Sequence, residues 1–144
     1  NELAAAWPYG VGCPGSNGIP TLVPWNQPVL GGTFQIQGTN LPTQPGLAIG
    51  FFGFSMTSWG FNVLPYELTQ QGMPGCWLRV APPPPGLITS TFTANGQCTW
   101  TEPVPLAPWL IGLQLYFQAL IPDQAAGNAL GATATNGIAA TLGL

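Results

Sequence analysis

The side chains that could move protons in this sequence are four carboxylates, because the chain contains no histidine. A histidine-based triad or acid–base step near neutral pH is therefore excluded. A glycosidase needs two carboxylates, so Glu67, Glu102 and Asp123 have to be considered. Glu67 and Glu102 occupy turn-like, solvated contexts, Asp123 is typical of a residue that caps a turn, and Glu2 near the terminus is expected to be solvated. Nothing in the spacing gathers them, and the sequence predicts a protein that is not an enzyme.

The three cysteines are too far apart in sequence to suggest a metal centre. Structural zinc sites use closely spaced cysteine pairs, commonly with histidine. The glycine clusters also lack the Gly-Lys-Ser/Thr ending of a phosphate loop. We therefore expect no metal and no cofactor. In an exported protein, three cysteines allow one disulfide and one leftover thiol, and spacing alone leaves all three pairings open.

Ionic groups are scarce throughout the chain. Charged residues make up 3% of the sequence, against roughly 25% in ordinary soluble domains. Arg79 is the single basic residue, and one cation cannot neutralise the phosphates on which nucleic-acid affinity depends. A neutral surface repels neighbouring molecules weakly, which favours association. The composition thus excludes nucleic acid as a partner and favours copies of the same chain.

Two features predict export. The chain begins at Asn1 without an initiator Met and without a signal peptide's basic and apolar regions, which is typical of a processed mature protein. Residues 106–121 form the longest apolar stretch, but it is interrupted and shorter than the ~20 residues that span a bilayer. We expect a secreted protein, extracellular or at the cell surface, with no membrane insertion.

The elements that must position these residues are short strands, since glycine and proline together number 37 (20 + 17) and few windows could hold a long helix. Alternation across residues 33–37 predicts a half-buried strand with Phe34 and Ile36 inward. The uniformly apolar residues 46–54 predict a central strand covered on both sides. Residues 76–80 alternate again, and residues 65–71 predict a helical turn.

Further strands are predicted towards the C-terminus. Residues 87–93 and 98–101 flank Asn95-Gly96, a strong tight-turn signal, and form the best predicted hairpin. Residues 110–121 favour a long strand over a helix, and weaker strands are expected at residues 129–135 and 138–142. The sequence predicts one all-β domain over residues 1–144, a two-sheet antiparallel β-sandwich of jelly-roll or immunoglobulin-like form.

Two cysteine segments carry a resemblance to a family. The stretches Gly10-Val11-Gly12-Cys13-Pro14-Gly15-Ser16 and Gly72-Met73-Pro74-Gly75-Cys76-Trp77-Leu78 resemble an uncharacterised family of bacterial secreted β-domains with GxGCPGS and GMPGCxL motifs. The resemblance implies a disulfide between Cys13 and Cys76, and it implies no activity or cofactor. Cys98 departs from the family pattern and is either a small core residue or the site of an intermolecular disulfide.

The first functional hypothesis is a structural subunit that self-assembles into an extracellular filament or surface layer. Leu3, Ala5 and Trp7 alternate with smaller or polar residues, so residues 1–8 could add a connector strand to a neighbouring subunit. The alternative is that this segment pairs with its own sheet.

The second hypothesis is a secreted carbohydrate-binding or adhesive module. Trp25, Trp59 and Trp109 lie near proline or glycine in predicted loops and could stack on sugar rings, although sandwich cores also bury tryptophan. No Asn carries the Asn-x-Ser/Thr acceptor pattern. Residues 89–93 are threonine-rich and are candidate O-glycan sites, so the protein could be a glycoprotein.

Overall fold

The computed structural model describes residues 3–144; the predicted solvation of Glu2 and the first two residues of the proposed connector lie outside this range. The described chain is all-β, with three short 3-10 helices at Thr69–Gln71, Pro108–Leu110 and Gln124–Ala126. Its strands are β1 (Ala5–Tyr9), β2 (Thr21–Pro24), β3 (Thr33–Thr39), β4 (Gly46–Gly53), β5 (Ser58–Trp59), β6 (Asn62–Val63), β7 (Tyr66–Glu67), β8 (Trp77–Leu78), β9 (Leu87–Thr93), β10 (Cys98–Pro103), β11 (Gln114–Pro122), β12 (Ala132–Ala134) and β13 (Gly137–Thr141).

Two antiparallel sheets form the body of the molecule. The large sheet has the order β1-β13-β11-β4-β9, with β12 also paired to β11, and the small sheet has the order β10-β3-β2. Two short ribbons, β5-β6 and β7-β8, lie between β4 and β9 in the chain. The antiparallel sandwich predicted from the sequence is present in this arrangement.

Aromatic rings fill the space between the two sheets. Trp100 of the small sheet meets Phe117 of the large sheet edge-on, with ring centroids 5.3 Å apart, and the Phe52 ring centroid lies 4.7 Å from that of Phe117. Gly50 of β4 makes room for them, because a Cβ there would overlap the Phe117 ring and lie 2.8 Å from Trp100 Nε1. The period-two prediction for β3 is confirmed by Phe34 and Ile36, which are both buried in this core.

The opposite face of the large sheet has a different cover. A second cluster includes Phe51, Leu68, Met73 and Leu78, so residues 64–80 lie over this face as an irregular cap. The disulfide that the resemblance implied is present in this cluster and joins Cys13 to Cys76. β4 lies inside the sheet order and ends at Gly53, which confirms the predicted central strand. The two clusters cover both of its faces from Ala48 onwards, whereas Gly46 and Leu47 are exposed.

Buried polar side chains join the cap and the small sheet to the large sheet. Gln118 is fully buried; its Oε1 accepts from the Arg79 N–H at 2.8 Å, and its Nε2 donates to the carbonyls of Trp77 and Thr135. The Asn136 side chain bonds both backbone groups of Leu22 in β2. These amides satisfy backbone groups that regular strand pairing leaves unpaired, as buried groups require.

The predicted hairpin at Asn95-Gly96 needs a correction. Both residues have positive φ and Ala94 pairs with Gln97, so the tight turn is present. The flanking strands then diverge: β9 pairs with β4 in the large sheet, whereas β10 pairs with β3 in the small sheet. The turn is a corner between the sheets, because β10 pairs along its full length with β3 of the small sheet.

Two other segments differ in detail from their predictions. Residues 65–71, predicted as a helical turn, hold the short strand β7 followed by a single 3-10 turn. The two C-terminal strands are present, but they lie end to end along β11 and do not pair with each other, with Thr135 and Asn136 at the break. Between residues 3 and 144, no helix has the length and apolar character needed to cross a membrane.

The N-terminal segment follows the second of its two predicted alternatives. Ala5 lies opposite Thr141 and Trp7 opposite Ala139, so β1 pairs with β13 of its own sheet. Leu3 and Trp7 are 68% and 50% exposed. Of the residues proposed as a connector, Ala5 and Trp7 are thus part of an outer strand, and donating that strand to a neighbour would first require breaking this pairing.

Candidate functional site

The three described carboxylates have separate surroundings. Glu67 accepts hydrogen bonds from the backbone N–H groups of Thr69 and Gly75 and from the Thr69 hydroxyl, at 2.6 to 2.9 Å. These donors hold the pKa of the Glu67 carboxyl below its ordinary value, the Thr69 hydroxyl contributing most. Among residues 3–144, no three His, Cys, Asp or Glu side chains come together in a group that could hold a metal ion.

Asp123 has a role that differs from its prediction. Its side chain does not cap the 3-10 turn that follows it; Oδ2 accepts from the Ser16 N–H at 2.8 Å, 107 residues away in the chain. Asp123 is 5% exposed. The Asp123 carboxylate therefore joins the N-terminal loop to the end of β11. It is buried by this contact, whereas a carboxylate that caps a surface turn would be solvated.

Cys98 is a free thiol inside the core between the sheets. It is 7% exposed, and burial raises its pKa to about 12. An intermolecular disulfide requires a sulfur that can reach the surface and form a thiolate. The geometry matches the alternative of a small core residue.

The three candidate tryptophans lie in three different segments. Trp25 follows β2, Trp59 is in β5 and Trp109 is in the second 3-10 helix, with exposed fractions of 55%, 36% and 83%. Trp59 packs edge-on against Tyr66 at 5.8 Å. β4 ends beside the start of β11, and β2 and β10 both end near the start of β3. Phe34 of β3, Phe54 after β4 and Leu113 before β11 line one cavity, so these strand ends lie at the same end of the sandwich.

An apolar cavity opens at that end, between the sheets. Its volume is about 310 Å³, and apart from Glu102 its lining is almost wholly apolar, including Phe34, Phe54, Leu87, Leu110 and Leu142. Two lining residues, Phe54 and Leu87, are themselves 50% and 53% exposed. Leu106 and Trp109, which neighbour the lining residues Pro105 and Leu110 in the chain, are 79% and 83% exposed. We call this region the apolar end.

The outer strands of the two sheets are protected unequally. Sheet edges present unpaired N–H and C=O groups, and proteins commonly guard them with proline or charge. Among the described strands, β1 carries Pro8, β2 carries Pro24 and β10 carries Glu102 and Pro103. β12, which pairs with β11 alone, is three residues long and fully buried. β9, at the far end of the large sheet, has the sequence LITSTFT, with neither proline nor charge.

The side chains of β9 are unusually open for an apolar strand. Ile88 and Phe92 are 62% and 75% exposed and share the outer face of the large sheet with Phe51 and Leu47, their partners in β4. The cap covers Phe51, but Leu47 remains 38% exposed. The cap therefore ends before it reaches β9 and leaves an exposed apolar row along this edge, which we call the β9 edge.

Sequence reasoning predicted the strand β9 but missed the β9 edge. The absence of proline and charge from residues 87–93 was visible in the sequence, but that absence matters only for a strand at the margin of a sheet. The apolar end was missed for a related reason, since its residues come from strand ends and loops that are distant in the chain.

No protein-family model matches the chain, and no curated protein or solved structure is significantly similar to it. The functional argument therefore depends on the geometry of this chain alone.

Proposed function

We propose that this protein is a structural subunit that self-assembles into an extracellular filament or surface layer, without catalytic activity. The observation that carries the proposal is the β9 edge: a seven-residue outer strand that exposes Ile88 and Phe92 and has no proline or charge. Such an edge is a template for pairing with another chain.

Backbone pairing supplies the first driving force. Within residues 3–144, β4 is the only strand paired with β9, so the N–H and C=O groups on the far side of β9 are open to an added strand. A strand from a neighbouring subunit would satisfy them in the manner of β-augmentation.

Burial of apolar side chains supplies the second driving force for association. Fully burying a Phe or Ile side chain stabilises by about 1.5–3 kcal/mol, and Phe92 and Ile88 expose most of their surface at the β9 edge. The opposing electrostatic cost is small, because the formal net charge is −3 over 144 residues. A contact at this edge therefore gains apolar and backbone interactions with little repulsion.

A filament or layer needs a second contact surface, since a single self-complementary interface closes as a dimer. The apolar end meets this need. Phe54 and Leu87, which line its cavity, are half exposed, and Leu106 and Trp109 in the β10–β11 connection are more exposed still. Exposed apolar side chains of this kind mark interaction sites. Two unlike surfaces on one subunit allow association to propagate.

The proposal is tested by placing the same charge on a guarded and an unguarded edge. Ser90→Lys puts an ammonium in the middle of β9, and Thr101→Lys puts one on β10, where Thr101 is also exposed. Sedimentation and electron microscopy should show that the unmodified protein and Thr101→Lys assemble alike, whereas Ser90→Lys raises the concentration needed for assembly about tenfold or more. A native protein that stays monomeric at high concentration would rule the proposal out.

We further assign the sandwich to the immunoglobulin-like class and treat the chain as one domain. The order β13-β11-β4-β9 opposite β2-β3-β10 corresponds to strands G-F-C-C′ and A-B-E of that class, with β1 added beside G. Both apolar clusters share the large sheet, which supports a single folding unit.

Secretion is part of the proposal and is supported by the Cys13–Cys76 disulfide. Disulfides persist mainly in oxidising, extracytoplasmic environments and are rare in reducing ones. An extracellular setting also suits a protein whose surface favours assembly over separation.

Glycan binding is the second candidate function, favoured by the exposure of Trp25 and Trp109 at the apolar end. Sugar stacking on these rings would shift or quench tryptophan fluorescence. A titration against a broad panel of soluble glycans, with Trp109→Ala as the matched variant, distinguishes this candidate. A flat response across the panel counts against it.

A further inference from the structure

We infer that the β9 edge pairs with the same edge of a second copy, antiparallel and around a two-fold axis that places Ser90 opposite Ser90 of that copy. The inference rests on the proposed function and specifies one of its contacts. It requires a self-complementary strand, because a two-fold axis places the same surface on both sides of the interface.

The sheet geometry restricts the choice of register. Directly opposite residues in a β-ladder point to the same face, so a two-fold axis perpendicular to a continuous sheet must lie midway between a residue and the same residue of the second copy. With the axis at Ser90, all seven residues of β9 find partners within the strand. An axis at Thr89 or Thr91 shortens the pairing and places Ile88 or Phe92 opposite Ser90.

The Ser90 register matches side chains on both faces. On the outer face, Ile88 lies opposite Phe92 of the second copy, and Phe92 opposite its Ile88. On the inner face, Thr89 lies opposite Thr91 of the second copy. Aromatic with β-branched pairs and Thr–Thr pairs are among the cross-strand combinations that stabilise antiparallel sheets.

The proposed contact requires that β9 carry no charge. A two-fold axis brings a charge near the axis close to its own copy, and like charges directly opposite each other destabilise a ladder. The strand from Leu87 to Thr93 has no charged residue. Self-pairing of β10 would instead involve Glu102 and Pro103, and β1 has Pro8 near its middle.

Cysteine cross-linking tests the register residue by residue. Directly opposite residues in antiparallel strands have Cα atoms about 4.5–5.5 Å apart, which suits a disulfide, whereas diagonal neighbours are too distant. Under mild oxidation, Ser90→Cys should form a covalent dimer on a non-reducing gel. Thr89→Cys alone should not, but an equimolar mixture of Thr89→Cys and Thr91→Cys should.

The native protein, with its buried Cys98, is the control for background cross-linking, and circular dichroism checks that each variant is folded. A monomeric Ser90→Cys, or Thr89→Cys that dimerises alone just as readily, overturns the register. If that happens while electron microscopy still shows assemblies of the native protein, self-assembly stands and only this contact is wrong. If native assemblies are also absent, both proposals fail.

Discussion

The two faces of the large sheet are covered by different means. On the inner face lies the small sheet, whose three strands are regularly paired with one another. Its Trp100 packs against Phe117 of the large sheet. On the outer face lies the cap, residues 64–80, which has little regular pairing and is held by a disulfide, the Gln118 amide and the Glu67 carboxylate.

The difference shows what each kind of cover requires. A sheet satisfies most of its own backbone groups, so apolar packing with the one Asn136–Leu22 link holds the small sheet. A loop instead needs side chains and cross-links to replace the missing ladder. The cap also ends before β9, and so the outer face is closed over β11 and open at Ile88 and Phe92. The open part is where the proposed assembly contact lies.

The largest expected effect tests the inner face. Trp100→Ala should lower the free energy of unfolding by about 3–5 kcal/mol, because it leaves a large cavity between the sheets. The matched variant Trp109→Ala removes the same side chain from an 83% exposed position and should change stability by less than about 0.5 kcal/mol. Urea denaturation measures both. Similar losses in the two variants would contradict the assignment of Trp100 to the principal core.

The next effect tests the outer face. Replacing Cys13 and Cys76 together by Ala opens a cross-link between residues 63 apart in the chain, and chain-entropy arithmetic gives a loss of about 4 kcal/mol. Hydrogen exchange should show the cap losing protection before the strands of the two sheets. Cys98→Ala is the control, since it removes a buried sulfur without opening a cross-link. A loss of protection spread evenly over both faces would show that the cap is not a separate layer.

The smallest effect concerns the polar support of the cap. The pKa of Glu67 is lowered in the folded state, so its contribution to stability is present above the ordinary value of 4.5 and is lost as pH falls below it. The stability difference between the native protein and Glu67→Gln should therefore shrink as the pH is lowered through this range. Thermal unfolding of both proteins from pH 6 to pH 3 measures it, with Glu102→Gln as the control carboxylate. A difference that stays constant with pH would mean that the charge of Glu67 does not support the cap.

Local patterns in the sequence predicted the elements well. Alternation identified β3 with Phe34 and Ile36 inward, and the Asn95-Gly96 pair identified the tight turn between β9 and β10. These signals depend on residues close together in the chain, where side-chain period and turn chemistry act directly.

Partners distant in the chain were beyond the same reasoning. No local pattern shows that β9 and β10 enter different sheets, that Asp123 binds the Ser16 N–H, or that the cap stops short of Phe92. The candidate site depends on these long-range choices, because a strand becomes an edge only when the whole sheet has been assembled. For that reason the sequence of residues 87–93 alone does not reveal the β9 edge, which depends on the strand order of the whole sheet.

The burial of Cys98 has a practical consequence. Its pKa of about 12 leaves almost no thiolate at neutral pH, so maleimide and iodoacetamide should react with it very slowly. The other two cysteines are joined in a disulfide and have no free thiol. The native protein should therefore take up almost no thiol-reactive dye. Any single cysteine introduced at the surface becomes a unique attachment point, and fluorophores placed there could report the proximity of neighbouring molecules by energy transfer in real time.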